Sequence, residues 1–180
     1  MLAGIGGFDR GLDLAGGFRR VGACESDKAA RKIYAKNFGR EPEFGDIRKV
    51  DAREIPSHDV LCAGWPCQAN STAGKRLGFE DARGRLFVEI VRVAKAKRPR
   101  VLFLENVVGL FSIDEGRAFG SILAALDEVG YDAEWQVLNS KYFLPQNRPR
   151  VFIIGHLRDR DFPRVFPLGE SSGGDGKEAE

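Results

Sequence analysis

The sequence predicts an α/β fold, and three observations carry that prediction. Short continuous apolar runs at 60–63, 101–104 and 151–155 have the composition of strands buried on both faces, as in parallel sheets. Segments of helical period lie before and between them, at 27–38, at 86–96 and around Phe119, Ile122, Leu123 and Leu126. A glycine-rich turn, Gly4-Ile5-Gly6-Gly7, opens the chain and feeds a helix, the arrangement of a nucleotide cradle. At 180 residues the chain is long enough for one domain with a substantial core.

After the glycine turn, Phe8, Leu12 and Ala15 recur at helical spacing until Gly16-Gly17 stops the helix. Residues 18–24 read as a strand ending at Glu25. That acid lies 21 residues after Gly4, close to the roughly 20-residue offset at which a carboxylate reaches ribose hydroxyls. Only Met1, Leu2 and Ala3 precede the glycines, too few for a buried central strand. The helix at 27–38 places Ala30, Ile33, Tyr34 and Phe38 on one face, with Gly39 beyond its end. Asp46 and Ile47 follow Gly45 near a third strand end. There a carboxylate can accept from the exocyclic amine of a nucleobase while an apolar neighbour covers the ring; a plain surface turn is the competing reading.

The run at 60–63 leads into Cys-Ala-Gly-Trp-Pro-Cys-Gln-Ala-Asn-Ser-Thr-Ala-Gly-Lys-Arg at 62–76. Gly64 and Pro66 end the strand, because proline offers no ladder donor, and Cys67 falls on the loop beyond. Gln68, Asn70, Ser71 and Thr72 surround it with polar groups, and Lys75 and Arg76 add positive charge. A thiol in such a loop ionises below its free value of about 8.5, as a nucleophile requires. A cysteine merely packed at a strand end fits the stretch as well. Asp81-Ala82-Arg83-Gly84-Arg85 follows as a polar, mobile segment, and the helix at 86–96 turns Leu86, Ile90, Val93 and Ala94 inward. Its basic end, Arg92, Lys95, Lys97, Arg98 and Arg100, reads as a solvated terminus favoured by the helix dipole, with phosphate contact as the alternative.

The strand at 101–104 ends in Glu105-Asn106, placing a carboxylate level with the cysteine loop. It can donate a proton if burial raises its pKa. A helix capped by Gly130 and a strand at 134–138 follow. Pro145-Gln146-Asn147-Arg148-Pro149-Arg150 then enters the last apolar run, and in extended backbone Arg148 and Arg150 point the same way. Residues from 169 on are rich in Ser, Gly and acids and are expected to be disordered.

Composition narrows the function. No apolar run approaches the ~20 residues that span a membrane, and the start carries no secretory pattern. Cys24, Cys62 and Cys67 form no Cys-x-x-Cys pair, and His58 and His156 lie far apart, so neither a metal site nor a disulfide framework is expected. A cytoplasmic location follows. The net charge is +2, with −3 on residues 169–180 and therefore +5 on residues 1–168, compatible with nucleic-acid binding.

Four blocks occur in one order: Ala-Gly-Ile-Gly-Gly-Phe at 3–8, Gly-Trp-Pro-Cys-Gln at 64–68, Glu-Asn-Val at 105–107 and Gln-Asn-Arg-Pro-Arg at 146–150. Together they resemble the DNA cytosine-5 methyltransferase family, from about residue 2 to about residue 158. The resemblance implies a class I S-adenosylmethionine-dependent methyltransferase fold, Rossmann-like with a mostly parallel sheet, over a catalytic domain at 1–168 followed by a disordered tail at 169–180. It implies DNA methylation of the restriction–modification kind, at C5 of a flipped-out cytosine. The residue matching Cys67 attacks C6, and that matching Glu105 contacts N3 and the exocyclic amine. Those matching Arg150 and Arg148 bind the base oxygen and support the site. Covalent addition supplies the electron density that C5 lacks, and flipping exposes atoms hidden in the duplex. For the cofactor, the resemblance places Gly4 and Gly6 beside the methionine moiety, Glu25 on the ribose, and Asp46 and Ile47 on the adenine. Ser26, Pro66 and Leu86 match further lining positions.

The sequence departs from the family at several points. Leu2 stands where an aromatic residue is usual, and Asn70 stands in place of phenylalanine. The family's target-recognition region and two later motifs are not found here. The expectation is a segment incomplete at both ends: a fragment, half of a split enzyme whose complementing chain carries target recognition, or a decayed copy. The competing functions are a tRNA cytosine-5 methyltransferase, which shares the cysteine loop, and a non-catalytic remnant. Retention of Cys67, Glu105, Arg148 and Arg150 argues against decay, since these residues add little to stability.

Overall fold

The computed structural model of the chain describes residues 1–66, 84–159 and 163–166. Helix α1 (Gly7–Ala15) follows the glycine turn and stops at Gly16, whose φ of 73° suits glycine. Helix α2 (Lys28–Phe38) starts where the Asp27 side chain accepts from the Ala30 N–H and ends at Gly39 in the left-handed region. Strand β1 (Val60–Gly64) precedes helix α3 (Gly84–Lys97), strand β2 (Val101–Val107), helix α4 (Arg117–Glu128) and strands β3 (Tyr131–Asn139) and β4 (Pro149–Leu157).

The four strands form one sheet in the order β1-β2-β4-β3. The pair β1–β2 is parallel, whereas β2–β4 and β3–β4 are antiparallel. The α/β class is as expected, and the sheet is mixed rather than purely parallel. An apolar run such as 151–155 reports burial but carries no direction, so the reversal of β4 was not readable from it.

Alternation sorts the sheet into two faces. Leu61, Ala63, Leu102, Leu104, Val151, Ile153 and Leu157 are buried and join Phe87, Ile90 and Val93 of α3 and Ile122 and Leu126 of α4 in one core. Replacing Leu102 or Leu104, both fully buried, by alanine would cost roughly 2–5 kcal/mol. The opposite face carries Cys62, Gly64, Phe103, Glu105, Arg150 and Phe152 and is only half covered. There α1 contributes Phe8, edge-on to Phe103 at 5.0 Å, and Phe103 meets Phe152 at 5.8 Å. The predicted site residues Glu105 and Arg150 lie on this half-covered face.

Three local expectations are corrected. Residues 18–24 form no strand: their one ladder contact is the isolated bridge from Cys24 to Phe44, and the Ala23 N–H is taken by the Glu43 carboxylate at 2.8 Å. On α2 only Tyr34 is buried, and Ile33 is 47% exposed, because no strand from 18–24 covers that face. The basic end of α3 is not simply solvated, since Arg92 donates to the carbonyls of Ile47 and Val50 at 2.9 and 3.0 Å. Among the described residues, no helix is long and apolar enough to cross a membrane.

Candidate active site

The deepest part of the site is built by strand register. Glu105 on β2 lies between Gly64 on β1 and Phe152 on β4, and Val107 pairs with Arg150. Glu105 and Arg150 are therefore diagonal neighbours on one face, within reach of long side chains. Arg150 Nε and Glu105 Oε1 form an ion pair at 2.9 Å, with the two side chains 20% and 24% exposed. Arg150 Nη1 donates to the Pro149 carbonyl at 2.8 Å, leaving Nη2 without a partner among the described residues. Gly64 makes room for the pair: a Cβ there would lie 3.0 Å from Glu105 Oε2. The acid thus sits inside the strand, two residues before its end, rather than just past it.

Asn106 stands in the motif at 105–107, but sequence reading gave it no role of its own. It is 1% exposed, and its Nδ2 donates to the Trp65 carbonyl at 3.1 Å while Oδ1 accepts from the Val107 N–H at 2.8 Å. One buried amide thereby fixes the start of the cysteine loop to the strand that carries Glu105. The signal was present: a polar residue at a buried position of an alternating strand needs a partner. Trp65 is itself buried against Phe87 of α3, 5.2 Å between ring centres. Cys67 lies outside the described residues, two positions beyond Trp65.

Arg148 is exposed and precedes β4. Its backbone N–H donates to Asn139 Oδ1 at 3.1 Å, and no described contact joins its side chain to Glu105. The other thiols do not compete for a nucleophilic role. Burial pushes Cys24 and Cys62 up to about 11, so both stay protonated near neutral pH.

The second group of predicted residues lies on the turns beside the sheet, and Phe8, which follows the glycine turn, reaches the same end of β1, within 3.9 Å of where a Cβ on Gly64 would lie. Glu25 is buried, and its two oxygens accept from the backbone N–H groups of Gly4 at 2.7 Å and Asp27 at 2.8 Å. Each oxygen keeps a further acceptor position, as a carboxylate that also receives hydroxyls requires. Gly4 has φ +56°, and a Cβ at this position would meet nothing within 4 Å, so its outer side is open. Gly6 differs: it is buried with φ +94°, and a Cβ would fall 2.1 Å from the Phe38 ring. Its lack of a side chain serves the packing of α1 on α2.

The Glu25 N–H donates to the Phe44 carbonyl at 3.1 Å, which brings Asp46 onto the neighbouring segment. Asp46 caps a 3₁₀ turn (Ile47–Lys49). Its carboxylate is held below the usual range chiefly by hydrogen bonds from the Arg48 side chain. Ile47 is 1% exposed and belongs to the core. Ser26 and Pro66 are exposed, and Leu86 is partly buried against the core. The structure thus assembles Glu105, Arg150 and the Trp65–Pro66 turn at one place and Gly4, Glu25 and Asp46 at another. Among the described residues no cluster of His, Cys, Asp and Glu could hold a metal.

Residues 1–172 match the family model for C-5 cytosine-specific DNA methylase. The chain is 46% identical over 178 residues to the type II methyltransferase M1.ScrFI of Lactococcus lactis subsp. cremoris, covering 96% of this chain and 46% of that protein. It is 42% identical over 174 residues to the type II methyltransferase M.HhaI of Haemophilus parahaemolyticus, covering 93% and 53% respectively. Among solved structures, S. pombe Dnmt2 methyltransferase superposes with a TM-score of 0.72 at 23% identity, over 91% of this chain and 51% of that one. The chain spans about half the length of the curated relatives it matches.

Proposed function

The chain belongs to the C-5 cytosine-specific DNA methylase family, and from that premise we propose that residues 1–168 are the catalytic segment of a DNA cytosine-5 methyltransferase. The observation that carries the proposal is the Glu105–Arg150 pair, aligned by register on the half-covered face beside the start of the cysteine loop. The family's methyl donor, S-adenosylmethionine, supplies an electrophilic methyl group when bound. The residues present fit it: Gly4 offers an open backbone, Glu25 retains acceptor positions for ribose hydroxyls, and Asp46 is a partly exposed carboxylate for the adenine amine. Ser26, Pro66 and Leu86 complete the proposed lining.

In this reading Cys67 adds through its sulfur to C6 of an extruded cytosine. Glu105 contacts N3 and accepts from the exocyclic amine, stabilising the ring activated by thiolate addition. Arg150 holds the Glu105 carboxyl through Nε and offers Nη2 to the base oxygen. Arg148, exposed at the mouth of the strand, contacts the DNA flanking the base. After transfer, loss of the C5 proton restores the double bond and expels the Cys67 thiolate. Target recognition is proposed to come from a complementing region or chain, and the protein to act in the cytoplasm.

The experiment follows the ring activation itself. With a recognition region supplied, the protein should release tritium from DNA containing [5-³H]cytosine, and Glu105→Gln should suppress that release while leaving the fold intact. Undiminished release by Glu105→Gln would reject the assignment of this pair.

A further inference from the structure

The turn that carries Asp46 is held by two arginines, and they do different things. Arg92 reaches across from α3 and donates through Nη2 to the carbonyls of Ile47 and Val50, at 2.9 and 3.0 Å. It fixes the backbone of the turn. Arg48 instead folds back on the Asp46 side chain. Its backbone N–H and Nε donate to Oδ1 at 3.1 and 2.9 Å, and its Nε and Nη2 donate to Oδ2 at 3.1 and 2.6 Å. A carboxylate offers about four lone-pair sites, so this fork and the capping bond together fill them. Asp46 is 20% exposed and Arg48 54%, which puts the fork on the solvent side of the acid.

We propose that Arg48 competes with the adenine of the cofactor for the Asp46 carboxylate and thereby sets cofactor affinity. The inference rests on the reading that Asp46 accepts from the adenine amine. That amine is a neutral donor and can use the carboxylate only where the charged fork has withdrawn. Withdrawal is easy, because an exposed ion pair is worth little and the Arg48 side chain makes no other described hydrogen bond. It leaves the turn in place, because Arg92 and the Asp46 cap hold the backbone. The competition is a tuning effect rather than a block. An internal control stands one turn further on: Arg53 grips Asp51 in the same way, Nε at 2.9 Å and Nη2 at 2.5 Å from Oδ2, at a position with no proposed ligand role.

The test is calorimetric titration of the purified chain with S-adenosylhomocysteine, which carries the same adenine and no net charge, at low and high salt. Arg48→Ala should bind roughly two- to fivefold tighter than wild type, the range expected from releasing an exposed pair. Wild-type affinity should rise with salt as the pair is screened, whereas Arg48→Ala should show no such rise. Arg48→Lys, which cannot fork, should fall between them, and Arg53→Ala should match wild type. Binding by Arg48→Ala that is equal to or weaker than wild type overturns the competition, as does a failure of both forms to bind. Asp46→Asn separates the two claims. If it binds weakly while Arg48→Ala gains nothing, only the competition is wrong; if it binds like wild type, the adenine role of Asp46 falls and the competition with it.

Discussion

The proposed catalytic pair and the proposed cofactor group are held by different physics. Glu105 and Arg150 sit on adjacent strands, and every backbone rung from Val101 to Val107 contributes to their relative position. Gly4, Glu25 and Asp46 sit on turns joined by single hydrogen bonds and one isolated bridge. A ladder averages many bonds, so it fixes geometry to the tolerance that proton transfer needs. A turn capped by one carboxylate tolerates adjustment, which suits a site that takes up and releases a cofactor on each cycle. Changes in the first group should therefore act on rate, and changes in the second on affinity.

The largest expected effect is at Glu105. Glu105→Gln should lower kcat by about 10²–10⁴-fold, the usual contribution of a positioned acid, with cofactor affinity and circular dichroism unchanged; a matching loss of affinity would erase the distinction between the two groups. Asn106→Ala should destabilise rather than merely slow the protein, because it leaves a buried carbonyl at Trp65 and the Val107 N–H without their partner. Each such group costs roughly 1–3 kcal/mol, measurable as a lower urea midpoint. In the proposed cofactor group, Glu25→Ala removes a charged acceptor worth roughly 1.5–3 kcal/mol, so S-adenosylmethionine binding should weaken by about tenfold or more. The smallest effect is at the spare thiols. With pKa values pushed up to about 11 by burial, Cys24 and Cys62 carry almost no thiolate at pH 8. Iodoacetamide at that pH should leave both unmodified in the native protein, as read by peptide mass spectrometry.

How much of this was legible in the sequence differs along the same division. Helices α2, α3 and α4 are marked by Asp27, Gly39 and the apolar spacing of Ile90, Val93, Ile122 and Leu126, and strands β1 and β2 by their apolar runs. Those signals are local, and local physics wrote them. The direction of β4 was not legible, nor was the pairing of Glu105 with Arg150, because both depend on register between segments about 45 residues apart in sequence. The segment at 18–24 misled for a related reason. Its apolar content fits a strand, yet its backbone donor at Ala23 is claimed by the Glu43 side chain. Arg92 reads as a solvated helix end, and only folding brings it to the Ile47 carbonyl, 45 residues away in sequence. Motif order singles out Cys67, Glu105 and Arg150; only the fold shows the buried amide of Asn106 tying Trp65, two positions before Cys67 in sequence, to the strand that carries Glu105.

The central claim is that Cys67 forms a covalent bond to cytosine beside the Glu105–Arg150 pair. A 5-fluorocytosine substrate tests it, since fluorine blocks the elimination that frees the enzyme. The protein, with a recognition region supplied, is incubated with 5-fluorocytosine DNA and S-adenosylmethionine, and the adduct is mapped by peptide mass spectrometry. The account predicts one adduct, on the peptide bearing Cys67, and none with Cys67→Ser. An adduct on Cys24 or Cys62, or one that survives Cys67→Ser, would contradict it.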